Sequence, residues 1–308
     1  MLTSEALRSL LISLPELELN WGEPLALHTT FRVGGPVFCL VRPKTDDALF
    51  RLMRMIRKYD VPFFVLGGGS NLLPPDDEWN ILAIQLDLCS AGILLDKGEE
   101  TTAARLSVGA GVRLPRLMRY CLQHGLGGLE FLVGIPGMVG GALVMNAGTR
   151  RGSIADALIW LDVLDEKDQG HRLARSDLSP GYRSMGLPEN WLILGCCLAV
   201  ASCAQDVQRT NLSAIIRERK GTQPLGYPSA GCIFKNPEGL VAGALIERCG
   251  LKGLRVGDAE VSSKHANWIV NRGHAMARDV VALIEEIESR VELDFGVRLE
   301  REIRIIGT

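Results

Sequence analysis

Apolar residues recur at Leu49, Leu52, Met53 and Ile56, while Arg51, Arg54 and Arg57 fall between them. That spacing predicts an amphipathic helix over about Asp46–Tyr59, with Thr45 placed to cap it. The unbroken apolar run VPFFVL (61–66) then reads as a buried strand. From about Trp79 to Val200 the pattern shortens to strand-like runs, ILAIQL, RLSVGAG, LIWLDVL and WLILGCCLAV. A helix in LPRLMRYCLQHG interrupts them and stops at Gly125. Polar AQDVQRTNLSAIIRERKGTQP reads as a connector turning into a helix that Pro224 ends. Helices follow near Leu240–Cys249 and Asp279–Leu293, the second carrying Val280, Leu283, Ile284, Ile287 and Val291 on one face. LEREIRIIG (299–307) reads as a final strand. The opening MLTSEALRSLLISLPELELNWG has neither the basic flank nor the small-residue cleavage site of a signal peptide and reads as an amphipathic helix.

At 308 residues the chain is long for one core, so two or three compact α+β units are expected. Hydrophobic residues at 47% and charged residues at 23% exclude a disordered or fibrous chain. A net charge of −2 leaves no basic surplus to neutralise a nucleic-acid backbone, so no nucleic-acid partner is expected, and nothing in the pattern needs a membrane. The eight cysteines form no CxxC pair and have no histidine at zinc-ligand spacing. Apart from Cys232 they read as reduced cytosolic core thiols, with no metal.

FFVLGGGSNLLPP (63–75) sets three glycines directly after a strand. A Rossmann loop fails here, because the third spaced glycine is missing and Pro74 and Pro75 forbid a long helix. A P-loop fails for want of Gly-Lys-Ser/Thr. What remains is a turn of amides without Cβ atoms, Gly67, Gly68 and Gly69, with Ser70 and Asn71 as side-chain donors, suited to cradle a pyrophosphate. A tight structural turn is the competing reading. GIPGMVGGALVMNAG (134–148) repeats the theme: Pro136 sits where a short helix could begin, and Gly137, Gly140 and Gly141 keep its surface bare. Close helix packing competes there. Two bare surfaces point to one large cofactor.

HTTFRVGGP (28–36), FVLGGGSNLL (64–73), LEFLVGIPGMVGGALVMNAG (129–148), GYR (181–183), PSAGCIFKNP (228–237), LKGLRVGDAEVSSKHANWIVN (251–271) and LEREIRIIG (299–307) together resemble, in family order, the MurB family of UDP-N-acetylenolpyruvoylglucosamine reductases. The resemblance covers nearly the whole chain and is to the shorter type, without a long insertion. It implies an α+β, FAD-binding fold of the vanillyl-alcohol-oxidase (PCMH-like) type. Residues 1–75 and 76–205 would be the two FAD-binding subdomains and 206–308 the substrate domain, its last strand free to return to the first. Non-covalent FAD, NADPH as reductant, a UDP-sugar substrate and a cytoplasmic monomer acting in peptidoglycan synthesis are implied with it.

The resemblance also assigns residues. Arg183 would meet the substrate carboxylate, where an arginine fork suits charge that develops as hydride arrives. Glu302, rather than Glu300, would polarise that carboxyl group, and must be protonated or share a proton to do so. Cys232 stands where the family usually has a serine proton donor; a thiol of ordinary pKa about 8.5 is mostly protonated near neutrality and can serve. Ser229, three residues earlier, is the alternative. Arg32, Gly134 and Asn146 join the glycines and Pro136 as flavin neighbours, and Tyr182, Asn236, Lys252 and His265 line the substrate pocket. The family commonly has Asn-Ala-Gly-Ala-Tyr-Gly where this chain has NAGTRRG, and a serine where it has Met185, so contacts from 149–151 are not carried over. Competing functions are an FAD-dependent oxidase of the same superfamily, which would use oxygen, and a non-catalytic nucleotide-binding module.

Overall fold

A computed structural model describes residues 2–96 and 103–307. The chain divides into two compact units, each built from separated stretches. One comprises Met1–Trp21, Cys39–Gly68 and Ile81–Arg217; the other comprises Gly22–Phe38, Gly69–Asn80 and Glu218–Thr308. A four-stranded sheet runs in the order Leu17–Pro24, Pro36–Pro43, Trp79–Ile84, Phe63–Val65, the last pair parallel.

In the first unit the helix Asp46–Lys58 forms as its sequence pattern predicts. Thr45 Oγ1 accepts from Ala48 N at 3.2 Å, Asp46 and Asp47 lie at the positive end of the helix dipole, and Arg57 and Lys58 lie at the negative end. Leu49, Leu52, Met53 and Ile56 are buried, each worth about 1.5–3 kcal/mol of apolar transfer. The strand after it is shorter and less buried than expected. Phe63–Val65 lies at a sheet edge with one neighbour, Val65 is exposed, and burial is complete only at Leu66.

A second sheet of the first unit is antiparallel, ordered Gly170–Ala174, Leu158–Leu164, Leu192–Ser202, Ala103–Gly109, Ile93–Asp96, with Leu126–Gly127 also paired to Leu192–Ser202. Its central strand buries successive residues Cys196, Cys197 and Leu198, which explains its nearly continuous apolar sequence. Burial pushes the Cys39 and Cys121 thiols up to about 12 and raises Cys196 further, so these are inert core groups. The segment read as a polar connector is helical from its start, Gln205–Thr222, because Gln208, Leu212 and Ile215 give it a buried stripe. The short helix expected to begin at Pro136 is Val139–Val144. Ahead of it Gly137 takes φ +120° and its carbonyl accepts from Leu114 N at 3.0 Å, which holds the chain out of helix for those residues.

The second unit packs Phe31, Leu73, Ile233, Phe234, Leu245 and Ile246 with Val280, Leu283, Ile284, Ile287 and Val291 of the helix Ala277–Phe295. An antiparallel sheet of Arg255–Val256, Ala259–Val261 and Ile269–Asn271 completes it. The final strand shrinks to Arg304–Ile305, parallel to Leu72–Leu73. It starts late because Glu302 N and Ile303 N both donate to Ile233 O, at 2.7 and 3.3 Å, and are lost to that ladder. Among the described residues no helix is long and apolar enough to cross a membrane, and no cluster of three His, Cys, Asp or Glu could hold a metal ion.

Candidate active site

In the first unit the two glycine segments meet. A Cβ built on Gly68 would stand 2.4 Å from Gly137 Cα, a separation no side chain tolerates, so this approach requires glycine. Beside it Gly67 faces Gly141 across 3.9 Å, its carbonyl held by Gln85 Nε2 at 3.1 Å. Gly141 itself is exposed, with no atom within 4 Å of where its Cβ would stand, while Gly140 lies against Ala110. Gly134 and Pro136 are exposed on the same segment. The result is a strip of open main chain from both loops, a cradle that a Cβ would fill, and it fits a flat, diphosphate-bearing cofactor such as FAD.

Arg183 also belongs to the first unit. It sits in a four-residue turn, where Gly181 N donates to Ser184 O at 3.0 Å and Ser184 N returns to Gly181 O at 3.3 Å. Buried Met185 anchors the turn, its N–H donating to Val144 O at 3.2 Å. The guanidinium lies 4.9 Å over the exposed Tyr182 ring and donates to Gly148 O at 3.4 Å. Asn146 joins these pieces: its Oδ1 accepts from Ala155 N at 3.2 Å and its Nδ2 donates to Gly181 O at 3.0 Å. Arg183 at φ +59° and Asn146 at φ +40° adopt left-handed backbone, as does Arg32 at φ +55°. Such strain costs on the order of 1–3 kcal/mol per residue and gathers at functional sites. Half of the non-glycine residues in this conformation, among those described, are therefore residues the sequence had singled out.

Cys232 and Glu302 both lie in the second unit, on adjoining backbones. Glu302 N donates to Ile233 O at 2.7 Å, one residue from the half-buried thiol. Asn71 Nδ2 donates to Glu302 O at 3.0 Å, and Asn71 O accepts from Arg304 N at 3.0 Å, so the end of the first glycine loop ties down the carboxylate's segment. Gly69 is equally constrained, since a Cβ there would run into His28 O at 2.0 Å, and its carbonyl accepts from Thr30 N. Ser70 lies half-buried between them. Thr30 Oγ1 reaches Ser229 O at 2.7 Å, and Arg32, exposed, follows in the same loop.

Two residues the sequence reading missed hold this frame. Buried Asn267 accepts from Phe234 N at 3.0 Å and donates to Phe234 O at 2.8 Å, while its own carbonyl accepts from Ile233 N. Buried Asn271 donates to Phe31 O at 3.1 Å. Their signal was available in HANWIVN, where two carboxamides interrupt an apolar run.

The remaining expected residues gather around the helix Ala242–Arg248. Asn236 Oδ1 accepts from Ala242 N at 3.0 Å, Lys252 Nζ donates to Glu247 at 2.6 Å, and His265 lies 3.4 Å from where a Gly243 Cβ would be. Burial, then the Lys252 charge, lowers the His265 pKa, so its ring is held neutral. In the same unit a cavity of about 260 Å³ is lined by Gln223, Tyr227, Ser262, Lys264 and Arg272 among others, and Arg272 stacks 4.3 Å over Tyr227.

Known proteins are similar to this chain along nearly its whole length. Residues 38–173 match a family described as FAD binding domain, and residues 223–306 match the C-terminal domain of UDP-N-acetylenolpyruvoylglucosamine reductase. A curated reductase of that name from Syntrophobacter fumaroxidans is 56% identical over 295 residues, covering 96% of this chain and 85% of the relative. Another from Desulforamulus reducens is 39% identical over 301 residues, covering 96% of each. The crystal structure of the Thermus caldophilus reductase superposes with a TM-score of 0.77 at 39% identity, covering 94% of this chain and 98% of that one. The fold is thus the α+β, PCMH-like FAD-binding fold, and the chain belongs to the UDP-N-acetylenolpyruvoylglucosamine reductase family, flavin-binding oxidoreductases of peptidoglycan synthesis.

Proposed function

We propose that the chain reduces the enolpyruvyl ether of UDP-N-acetylenolpyruvoylglucosamine to UDP-N-acetylmuramate with NADPH as reductant, as a cytoplasmic monomer. Residues 1–75 and 76–205 would serve FAD binding and residues 206–308 the sugar nucleotide. The observation that carries this reading is the Ile233 carbonyl accepting the Glu302 amide, which sets thiol and carboxyl segments side by side. FAD held in the cradle would, once reduced, supply the hydride that the substrate's double bond accepts. The open main chain of Gly67, Gly68, Gly137 and Gly141 would hold its diphosphate, with Ser70 and Asn71 beside it.

Negative charge then develops on the substrate carboxylate. Arg183 meets that charge with a guanidinium whose orientation its strained turn fixes in advance. Glu302, protonated, donates a hydrogen bond to the same group, because two ionised carboxylates would repel. Cys232 gives its thiol proton to the carbon beside the carboxylate and recovers one from solvent. Tyr182, Asn236, Lys252 and His265 would contact the UDP-sugar, and Arg32 and Asn146 the flavin.

Anaerobic spectroscopy tests the reading. NADPH should bleach the flavin absorbance, and UDP-N-acetylenolpyruvoylglucosamine should restore it within a turnover. A flavin that oxygen reoxidises readily and the enolpyruvyl nucleotide leaves reduced would overturn it.

A further inference from the structure

Asn146 is assigned above to the flavin, yet its carboxamide is engaged within the protein on both sides. Oδ1 accepts from Ala155 N at 3.2 Å, in the short helix Ile154–Ala157, and Nδ2 donates to Gly181 O at 3.0 Å. One partner is a donor and the other an acceptor, so only a side chain carrying both functions answers the two together. The residue lies just beyond the helix Val139–Val144, whose Gly141 belongs to the cofactor cradle. Its backbone is left-handed at φ +40°, a conformation asparagine tolerates better than most residues.

Gly181 opens the turn that carries Arg183. It has no side chain, and no atom lies within 4 Å of where a Cβ would stand, so packing does not fix this end. The bonds Gly181 makes to Ser184 lie inside the turn and move with it. The far end is fixed differently, by buried Met185, whose N–H donates to Val144 O at 3.2 Å. Between the two ends Arg183 holds φ +59°, and strained backbone persists only where its surroundings hold it. The guanidinium's own bond to Gly148 O is long, at 3.4 Å, and is a weaker hold than the carboxamide.

We propose that Asn146 is a positioning residue for the reduction: its carboxamide ties the Arg183 turn to the cofactor segment and so presets the guanidinium, whatever main-chain contact Asn146 makes with the flavin. The inference rests on the reading of Arg183 as the group that meets the developing charge. No bond is made or broken at Asn146. A donor fixed in advance stabilises a transition state without reorienting at the moment of reaction, so losing the tether lowers kcat more than it weakens substrate binding.

The test uses the flavin-loaded protein and a double-mutant cycle on kcat. Asn146→Gly accepts the left-handed backbone and removes both bonds, whereas Asn146→Asp keeps the oxygen that accepts from Ala155 N and removes the donor to Gly181 O. Both should retain flavin like wild type and lower kcat about tenfold, with KM for the enolpyruvyl nucleotide changed by less than about threefold. In an Arg183→Ala background the same substitutions should lower kcat no further, because the group they act through is gone. Losses that multiply, or wild-type kcat in the aspartate variant, overturn the proposal. Loss of flavin from either variant also overturns it, by making Asn146 a cofactor residue. Should the glycine variant not fold, the aspartate variant decides alone. Wild-type turnover by Arg183→Ala itself would instead sink the reading of Arg183. Hydrogen exchange needs no turnover: peptides spanning 181–185 should exchange faster in the Asn146→Asp protein than in wild type, and equal exchange would show that the carboxamide is no tether.

Discussion

The cradle of the first unit and the Cys232 frame of the second are both rigid, by opposite means. At Gly68 and Gly137 position is enforced by deletion, because the two backbones approach so closely that no side chain fits. Around Cys232 it is enforced by addition, with Asn267 occupying both polar groups of Phe234 and Asn71 holding the Glu302 carbonyl. A surface that must touch a cofactor's diphosphate has to be bare, whereas a side chain that must present a proton needs its neighbours tied. The difference predicts how each should fail.

Deletion fails completely. Gly68→Val should abolish flavin retention on purification, since Gly137 backbone cannot retreat from a Cβ at 2.4 Å. Gly141→Ala meets no atom within 4 Å, so the apoprotein should melt like wild type or slightly higher, while flavin is retained less well. A Gly68→Val protein with a full flavin spectrum would break the comparison. Within the same unit, Arg183→Ala should leave flavin content intact and lower kcat by about 10²–10³-fold, the usual loss of one charge-stabilising donor. A kcat within a few-fold of wild type would remove Arg183 from the chemistry.

Addition fails by degrees. Asn267→Ala leaves Phe234 N–H and C=O buried without partners and should cost about 1–3 kcal/mol in denaturant unfolding. Turnover should fall with it as the Cys232 segment loosens. A variant as stable as wild type would show that the asparagine is not what fixes the frame.

The same contrast explains what the sequence disclosed. Glycine runs after a strand and Gly-Tyr-Arg in a turn are local signals, readable because each residue's own backbone freedom or chemistry is the function. The Thr45 cap and the stripe Leu49, Leu52, Met53, Ile56 were legible for the same reason. Asn267 and Asn271 were not, because their meaning lies in burial, and burial is a property of partners distant in sequence. Gln208 belongs to the same case: polar residues made the start of Gln205–Thr222 look like a connector leading into a helix, although Gln208 lies on its covered face. The edge position of Phe63–Val65 depends on strand order, which an apolar run does not encode.

The smallest effect concerns His265. Its folded pKa lies below the ordinary 6.5, so on acidification the unfolded chain takes up the proton first. Stability contributed by the neutral ring is complete above 6.5 and is lost as pH falls from there toward the lowered value. Melting temperatures of wild type and His265→Gln should therefore converge as pH drops through that window. Parallel curves would mean that the ring is not held neutral.

Single-turnover reduction by three forms of the protein bears most directly on the central claim, that Cys232 gives the proton. With NADPH-reduced flavin mixed anaerobically with UDP-N-acetylenolpyruvoylglucosamine, wild type and Cys232→Ser should both form UDP-N-acetylmuramate. Cys232→Ala should form it about 10²–10⁴-fold more slowly, although NADPH still reduces its flavin. Product formation by the alanine protein at the wild-type rate would contradict the account.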